Sequence, residues 1–357
     1  MSEAMPAPRA SSLDGPGTFR RKPVTVSTTD LIRTGFDPER PRAPLIVRPK
    51  VPDVDLATWA RADRPRVQTL LAEHRALLFR GFPIPSTEAF SAVVAAVSDG
   101  TLLDYRDRSS PRHEVGDRIY TSTDYPRDQT INLHNEGTYW QRWPLKIVFA
   151  CLQRAETGGE TPIADCRRVY ERIAPAVRDR FRERRIRYVR NYNDGFGLTW
   201  QTVFQTEDPA EVEAYCGRND IAVEWKPGGR LRTRAIRDAI AHHPVTGEAI
   251  WFNHGAFFHV SSLDSPMREE LLASFAEADL PSNTYYGDGT PIEPEVLDEI
   301  RAAYRAEKTV FPWQQQDVLL LDNMSFAHGR EPYTGERTVM VGMAEPYARP
   351  GTRHAGA

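Results

Sequence analysis

Short apolar segments separated by turn residues occur in two widely separated parts of the chain, and they restrict its fold more than any other feature. Runs of this length are typical of β-strands, and their alternation with turn residues is typical of an antiparallel sheet. The segments are TINLHNEGTYW, LKIVFACLQRA and TPIADC between residues 130 and 166, and DVLLLDN and RTVMVGMAEP after residue 316. The chain is therefore predicted to be mostly β.

Further strands and helices are predicted around these segments. LIVRP (45–49) and RALLFRGFPI (75–84) have the composition of strands, and the segment from Leu56 to His74 between them is predicted as a helix. Helices are also predicted after Ser86, which is a suitable N-cap residue, and after Asp165, where apolar residues recur every four positions. We expect these helices to flank the sheets.

The sequence divides into three predicted parts. Residues 1–42 are rich in Pro, Arg, Ser and Thr and are predicted to form a mobile N-terminal arm, and residues 348–357 form a tail. Residues 43–347 are predicted to form a single domain, because the chain returns to strands near its end. Within that domain, residues 165–310 mix short strands with helices and are interpreted as an insertion with helical elaboration.

Composition disfavours several classes of partner. The chain has 46 basic and 49 acidic residues and a net charge of -3. It therefore has no net positive charge that would attract nucleic acid or an anionic membrane surface. No apolar run reaches the roughly 18 residues that span a bilayer, and the first residues lack the apolar core of a signal peptide. A cytoplasmic protein with a small-molecule substrate is predicted, and no pattern specifies an oligomeric state.

His134 and Glu136 form the first part of a candidate metal site. They are two positions apart, so on an extended segment both side chains point to the same face. Two imidazoles and one carboxylate bind iron(II) in one class of oxygenases and leave three coordination positions open. His328 is the best candidate for the second imidazole, because it lies in a predicted loop just after the strand DVLLLDN. His259 and the adjacent pair His242 and His243 are weaker candidates.

Several motifs together resemble the taurine dioxygenase (TauD/TfdA) family of 2-oxoglutarate-dependent oxygenases over about residues 40–347. His134-Asn135-Glu136 is similar to the family's proximal His-x-Asp/Glu motif, and Gly158-Gly159-Glu160-Thr161 is similar to its Gly-Gly-Asp-Thr element. FAHGR (326–330) followed by GER (335–337) resembles the distal histidine and the cosubstrate arginine. The resemblance implies a double-stranded β-helix, a jelly roll of the cupin type, with flanking helices and a long insertion between the metal-bearing strands.

The resemblance also implies cofactors and residue roles. Iron(II) would be held by His134, Glu136 and His328, with 2-oxoglutarate and O2 as cosubstrates. Arg337 would bind the distal carboxylate of 2-oxoglutarate, because a guanidinium matches a carboxylate bidentately, and Thr161 would add a hydroxyl donor. Arg330 is a second candidate for the carboxylate and otherwise is expected to face substrate or a nearby acid.

The subgroup and the substrate are predicted with the same comparison. His134-Asn135-Glu136, GGETPIADCRRVYERI, WFNH and AHGREPYTGER look most similar to the SyrP-like hydroxylases of antibiotic biosynthesis. An amino acid or aminoacyl substrate, free or tethered to a carrier protein, is therefore predicted, with Asn132, Asn253 and His254 as candidate substrate residues. Most family members have Asp at the position of Glu136, but Glu136 also supplies a carboxylate ligand. The presence of this carboxylate argues against a chlorinating enzyme.

Other functions fit parts of the same pattern. A catabolic dioxygenase could attack a sulfonate or an aryloxy acid, and the same scaffold supports desaturation and epoxidation. A zinc hydrolase could use two histidines and a glutamate, but it would not need Thr161 and Arg337. A jelly-roll binding protein without catalytic activity would bind no iron and consume no oxygen.

Overall fold

The computed structural model describes most of the chain. The described residues are 31–103, 114–116, 118–121, 125–192 and 197–349. Residues 1–30 of the predicted arm and residues 350–357 of the predicted tail lie outside them. None of the helices found among the described residues is both long enough and apolar enough to cross a membrane.

Strands make up the framework. In chain order they are β1 (Ile32–Gly35), β2 (Leu45–Pro49), β3 (Ala76–Phe79), β4 (Glu114–Gly116), β5 (Ile119–Thr121), β6 (Ile131–His134), β7 (Arg142–Gln153), β8 (Thr157–Gly158), β9 (Ile163–Asp165), β10 (Ile186–Tyr192), β11 (Ile221–Lys226), β12 (Arg230–Arg237), β13 (Ile240–His242), β14 (Ala249–Trp251), β15 (Ser282–Tyr286), β16 (Lys308–Thr309), β17 (Val318–Asp322), β18 (Phe326–Arg330), β19 (Tyr333–Thr334) and β20 (Thr338–Ala348).

Helices lie between the strands. They are α1 (Leu56–Ala62), α2 (Arg64–His74), α3 (Thr87–Val97), α4 (Cys166–Arg172), α5 (Pro175–Arg184), α6 (Trp200–Phe204), α7 (Pro209–Arg218), α8 (Gly255–Phe258), α9 (Ser265–Ser274) and α10 (Pro294–Glu307), with 3-10 turns at Val260–Ser262 and Glu277–Asp279. Two helices that the sequence predicts as continuous are each divided in two. Both breaks precede a proline, Pro65 and Pro175, which lacks a backbone N–H and restricts the residue before it.

Part of the predicted mobile arm is a strand. In β1, Ile32–Gly35 pairs antiparallel with Ile46–Pro49 of β2, so the prediction of a mobile arm is wrong for this part of residues 1–42. Ile32 is only 2% exposed, and burial of its side chain together with the backbone hydrogen bonds fixes the segment on the sheet. The strand was not predicted because few apolar residues precede Leu45.

Two sheets carry the residues of interest. The larger sheet has the order β1-β2-β3-β17-β7-β20-β5-β4, and a four-stranded sheet has the order β16-β9-β18-β6. Strands β7 and β17 bury both faces. Ile147 and Phe149 belong to one apolar cluster with Phe326 of the smaller sheet, whereas Val148 and Ala150 belong to a second cluster with residues of α1 and α3. This alternation explains why these strands have almost uninterrupted apolar sequences.

The segment between β6 and β18 contains a separate sheet. Strands β11-β12-β10-β15 make a four-stranded antiparallel unit, and β13 and β14 form a separate pair. Helices α8, α9 and α10 return the chain to β16 and then to β17. The predicted insertion at residues 165–310 therefore places α8 beside β6, where its residues can contribute to a site.

Candidate active site

Two histidines from distant parts of the sequence lie side by side. His134 ends β6 and His328 lies in β18, and they are directly opposed in the antiparallel pairing of these strands. Their ring centroids are 4.6 Å apart. With Glu136 they form a group whose potential ligand atoms all lie within 4.8 Å of one another, and no other such group occurs among the described residues. The structure therefore brings together the three predicted ligands.

The local structure of two ligands differs from the sequence prediction. His328 is not in a loop, because Asp322 closes a short turn by accepting hydrogen bonds from the backbone N–H groups of Met324 and Ser325 at 3.0 and 2.9 Å. The chain then continues directly into β18. Glu136 is not part of a strand with His134, since β6 ends at His134 and Glu136 lies in the following turn. It is nevertheless 4% exposed and close to both histidines.

Gly329 permits the close approach of the two ligand-bearing strands. A Cβ atom at this position would lie 2.5 Å from the backbone carbonyl oxygen of Ile131 on β6. The pairing also shifts register between His328 and Arg330. A residue without a side chain is therefore required where the backbones pass.

Replacing Gly329 with alanine is expected to lower the free energy of unfolding by about 1–3 kcal/mol, because the methyl group forces β18 away from β6. Metal binding should weaken in the same variant, since His328 moves with the strand. Denaturant unfolding and iron(II) titration measure the two effects. Gly217→Ala in α7 is the matched control: its Cβ would meet nothing within 4 Å. It should raise stability by roughly 0.5–1 kcal/mol, and equal losses in both variants would contradict the close approach.

A backbone hydrogen bond fixes the tautomer of His134. Its Nδ1 lies 2.8 Å from the carbonyl oxygen of Asn132. A carbonyl oxygen only accepts, so Nδ1 carries the proton and Nε2 keeps its lone pair for a metal. Two imidazole nitrogens and a carboxylate oxygen are a donor set that suits iron(II), so the residues present fit that metal.

The buried side chain of Asn323 holds the turn that carries Glu136. Its Oδ1 accepts a hydrogen bond from the Glu136 backbone N–H at 2.8 Å. Its Nδ2 donates to the carbonyl oxygens of Glu136 and Pro144 at 2.9 and 2.8 Å. Asn135 donates to the Asn323 carbonyl oxygen at 2.7 Å. Sequence reasoning missed Asn323, although an amide directly after a buried strand was an available signal.

Replacing Asn323 with alanine is expected to lower the free energy of unfolding by about 2–4 kcal/mol, because buried backbone groups of the turn lose their partners. The affinity for iron(II) should fall about 10–100-fold, as for other residues that orient metal ligands. Chemical denaturation and metal titration test this. The control is Asn219→Ala, which removes a single side-chain hydrogen bond to the Tyr215 carbonyl oxygen at the end of α7. An unchanged iron affinity in Asn323→Ala would contradict the role of Asn323 in positioning Glu136.

Arg337 and Thr161 line one small cavity together with His134 and His328. Arg337 donates from Nε to the Gly159 carbonyl oxygen at 2.8 Å. Burial, together with the charge of Arg330, lowers the pKa of Arg337 to about 10, so the guanidinium remains charged at neutral pH. A charged guanidinium in a buried cavity favours a carboxylate ligand.

Trp313 and Gly159 shape this cavity around Thr161 and Arg337. The Thr161 hydroxyl accepts a hydrogen bond from the indole N–H of Trp313 at 3.1 Å, so its own hydrogen can be donated to a ligand. Gly159 has φ +72°, and a Cβ there would lie 2.9 Å from Cδ of Arg337, which explains the second glycine of the motif. The cavity measures about 30 Å³. That volume holds only about two water molecules, so a dicarboxylate must displace neighbouring side chains.

Arg330 lines the same cavity, but its hydrogen bonds point to a different task. Its guanidinium donates to the backbone carbonyl oxygens of Tyr125, Pro126 and Gln129 at 3.0, 2.5 and 2.8 Å. These bonds hold residues 125–129 against β18. Its predicted role as a second clamp for 2-oxoglutarate is therefore disfavoured, because these three bonds already engage the guanidinium with backbone carbonyl groups.

A larger cavity of about 720 Å³ adjoins the ligands His134 and Glu136. The predicted substrate residues Asn132 and His254 line it. The ring of His254 lies 5.5 Å from that of His134 and is almost completely buried. Burial, together with the nearby His134, holds the pKa of His254 well below its usual range, so this ring is neutral.

Asn253 does not line this larger cavity. Its Nδ2 donates to the Ala239 carbonyl oxygen at 2.9 Å, and its Oδ1 accepts from the Gly255 N–H at 2.9 Å. These bonds account for its burial, and Asn253 borders a separate cavity of about 310 Å³. Among the weaker metal candidates, His243 contacts Asp322 at 2.9 Å and does not join the cluster.

A model of the family described as "Taurine catabolism dioxygenase TauD, TfdA family" matches residues 39–344. The chain belongs to the TauD/TfdA family. The matched range includes β6, β18 and the insertion between them. The prediction of the family from its motifs is therefore confirmed, whereas the SyrP-like subgroup stays a prediction.

Individual relatives agree with this assignment. The dapdiamide synthesis protein DdaC of Enterobacter agglomerans is 42% identical over 311 residues, which cover 84% of this chain and 94% of the relative. A clavaminate synthase-like protein of Arabidopsis thaliana is 29% identical over 289 residues, 78% of this chain and 84% of the relative. In fold, the chain is similar to PvcB, an iron- and alpha-ketoglutarate-dependent oxygenase, with 16% identity and a TM-score of 0.51 over 92% of this chain and 98% of PvcB.

Membership of the TauD/TfdA family makes this chain an iron(II)- and 2-oxoglutarate-dependent dioxygenase. The predicted double-stranded β-helix with flanking helices is confirmed by the similarity to PvcB. The family also decides against a zinc hydrolase and against a jelly-roll binding protein without catalytic activity. The pairing of β6 with β18 brings the predicted metal ligands His134 and His328 together.

Proposed function

We propose that this oxygenase hydroxylates an unactivated C–H bond of an amino acid or aminoacyl group in secondary metabolism. The observation that carries the proposal is the group His134, Glu136 and His328 between two cavities of different character. One cavity is small and contains a buried guanidinium, which suits the distal carboxylate of 2-oxoglutarate. The other is larger and suits an organic substrate.

Each residue has a distinct task in this proposal. His134, Glu136 and His328 hold iron(II), while Arg337 and Thr161 bind the distal carboxylate of 2-oxoglutarate. When bound, iron and 2-oxoglutarate supply the oxidation: one oxygen atom of O2 enters the substrate carbon, the other enters succinate, and CO2 is released. The wall of the larger cavity decides which C–H bond lies close enough to react.

The composition of the larger cavity favours an amino acid or aminoacyl substrate over a sulfonate or an aryloxy acid. Its described lining residues include the aromatic side chains of Phe257 and Phe258 and the exposed carboxylates of Asp128 and Asp264, and none of them is Arg or Lys. An anionic substrate would find no Arg or Lys among these described residues, whereas an ammonium group could pair with either carboxylate. The relative named for dapdiamide synthesis supports biosynthesis rather than catabolism.

Finer parts of the proposal concern the state of the substrate. An aminoacyl group tethered to a carrier protein is predicted from the family resemblance. A cytoplasmic location is predicted from the composition, and both stay predictions. The same site could also catalyse desaturation or epoxidation. Which of hydroxylation, desaturation and epoxidation occurs depends on the position of the reacting substrate bond relative to the iron.

Anaerobic reconstitution tests the site, and a substrate panel tests the substrate. Iron(II) plus 2-oxoglutarate should give a visible charge-transfer band, and His242→Ala should retain it as a control at an exposed histidine. A panel of amino acids, aminoacyl thioesters, sulfonates and aryloxy acids is then assayed for succinate release and product mass. A colourless, zinc-containing protein that consumes no 2-oxoglutarate would overturn the proposal, and turnover of sulfonates alone would overturn its substrate class.

A further inference from the structure

His259 lies on the wall of the 720 Å³ cavity that adjoins His134 and Glu136. It follows α8 and precedes the 3-10 turn Val260–Ser262, and its side chain caps that turn. Its Nδ1 accepts a hydrogen bond from the backbone N–H of Ser261 at 3.1 Å. A backbone N–H can only donate, so Nδ1 has no proton and the neutral ring carries its proton on Nε2.

The Ser261 hydroxyl and Arg301 reinforce this tautomer. The hydroxyl oxygen lies 2.7 Å from His259 Nδ1 and accepts a hydrogen bond from Nη2 of Arg301 at 2.6 Å. A guanidinium can only donate, so the serine hydrogen is available for His259 Nδ1. The Asp298 carboxylate accepts a hydrogen bond from Nη1 of Arg301 at 3.2 Å. The order of donors therefore runs from Arg301 through Ser261 to His259.

Electrostatics keep the ring neutral. Burial and then the charge of Arg301 lower the pKa of His259 to about 4. The ring is therefore neutral throughout the neutral pH range, and its Nε2–H is a neutral donor. None of the described residues forms a hydrogen bond with Nε2.

The acceptor that fits this donor is a neutral one. Asp128 and Asp264 contribute negative charge to the same cavity, and its described lining residues include no Arg or Lys. A free carboxylate would meet repulsion from these two side chains and would find no Arg or Lys among the described lining residues, whereas the carbonyl oxygen of an amide or thioester needs only a neutral N–H.

We propose that His259 donates its Nε2–H to a carbonyl oxygen of an amide or thioester substrate, and that Ser261 and Arg301 are positioning residues that fix this tautomer. The inference rests on the proposed function, because it assigns a substrate group to the same cavity. It specifies an acyl derivative in place of a free amino acid. It also adds a specificity-determining residue that sequence reasoning treated only as a weak metal candidate.

The tautomer is tested without turnover, on the full-length iron-free protein by nitrogen-15 NMR of the imidazole rings. His259→Gln assigns the signal. The wild-type ring should be protonated on Nε2 alone and should titrate only near pH 4. In Arg301→Gln the titration should move towards pH 6.5, the ordinary value for histidine, because the charge of Arg301 is the second cause of the lowered pKa after burial. The Ser261 backbone N–H remains, so the proton should stay on Nε2. A ring protonated on Nδ1, or one whose titration Arg301→Gln leaves unchanged, would overturn the proposal.

Substrate recognition is tested with the amino acids of the panel, each supplied as a primary amide, an N-acetylcysteamine thioester and a free acid. Wild type should bind the amide and thioester more tightly than the acid, as measured by perturbation of the charge-transfer band. His259→Leu should weaken amide and thioester binding about 10-fold, the effect of one lost hydrogen bond. His259→Gln, which keeps an N–H donor, should restore most of it, and His242→Gln should behave as wild type.

The results distinguish this inference from the proposed function. If the charge-transfer band forms in every variant but the free acid binds best, or His259→Leu binds all compounds as wild type does, the role of His259 is overturned and the oxygenase remains. If the band does not form in wild type, the metal and cosubstrate assignment fails instead. The NMR result decides the tautomer in either case.

Discussion

Replacing His328 with alanine is expected to lower the affinity for iron(II) by more than about 100-fold and to abolish turnover. Residues that only orient a metal ligand already cost about 10–100-fold when they are removed, so loss of a ligand should cost more. With two remaining ligands on one side of the metal, the facial arrangement is lost. Metal content after anaerobic reconstitution and succinate formation measure the effect.

The control for this prediction is an exposed histidine. His242 ends β13 on the protein surface, and His242→Ala removes an imidazole without touching the cluster. Glu136→Ala should behave like His328→Ala, because it removes the carboxylate ligand. Full iron content and undiminished turnover in His328→Ala would show that another residue completes the site.

Replacing Arg337 with alanine is expected to weaken 2-oxoglutarate binding about 100–1,000-fold with iron binding retained. Removing one partner of a buried, hydrogen-bonded charge pair costs about 3–4 kcal/mol, which corresponds to that change in Kd. Without Arg337 the carboxylate would lose its guanidinium partner and would keep the Thr161 hydroxyl as a donor. Anaerobic titration of the charge-transfer band with 2-oxoglutarate gives the Kd directly.

Two further variants sharpen the test. Arg337→Lys keeps the charge but loses the planar pair of donors, so its Kd should lie between those of wild type and Arg337→Ala. Arg182→Ala removes an exposed arginine of α5 that is paired with Asp179, and its Kd should equal that of wild type. A wild-type Kd in Arg337→Ala would instead direct attention to Arg330, which lines the same cavity.

Local sequence patterns predicted the strands and the chemical types at the site well. The apolar run of β17 and the turn residues after it predict a strand and a turn without reference to the rest of the chain. The motif around Gly159 was also visible, and its reason is now clear: the Arg337 side chain packs where a Cβ would be. Such patterns succeed because residue type and local backbone conformation determine them.

Other features depended on partners that the sequence does not place. The sequence predicts Arg330 as a second candidate for the carboxylate of 2-oxoglutarate. Its guanidinium instead donates to three backbone carbonyl oxygens within residues 125–129. Asn323 received no role from the sequence, yet it fixes the backbone of Glu136. Each outcome is a consequence of long-range packing, which no pattern within a few residues reports.

By itself, the sequence determined the donor atoms and the chemistry they support: two imidazoles, a carboxylate and a guanidinium are properties of residue types. Only the tertiary structure decided that His134 and His328 are opposed across β6 and β18, and that the Ser261 backbone N–H donates to Nδ1 of His259. The physical reason is that these positions depend on strand register, on close backbone contact at Gly329 and on hydrogen bonds between distant residues. Those interactions exist only once the two sheets and the insertion have packed together.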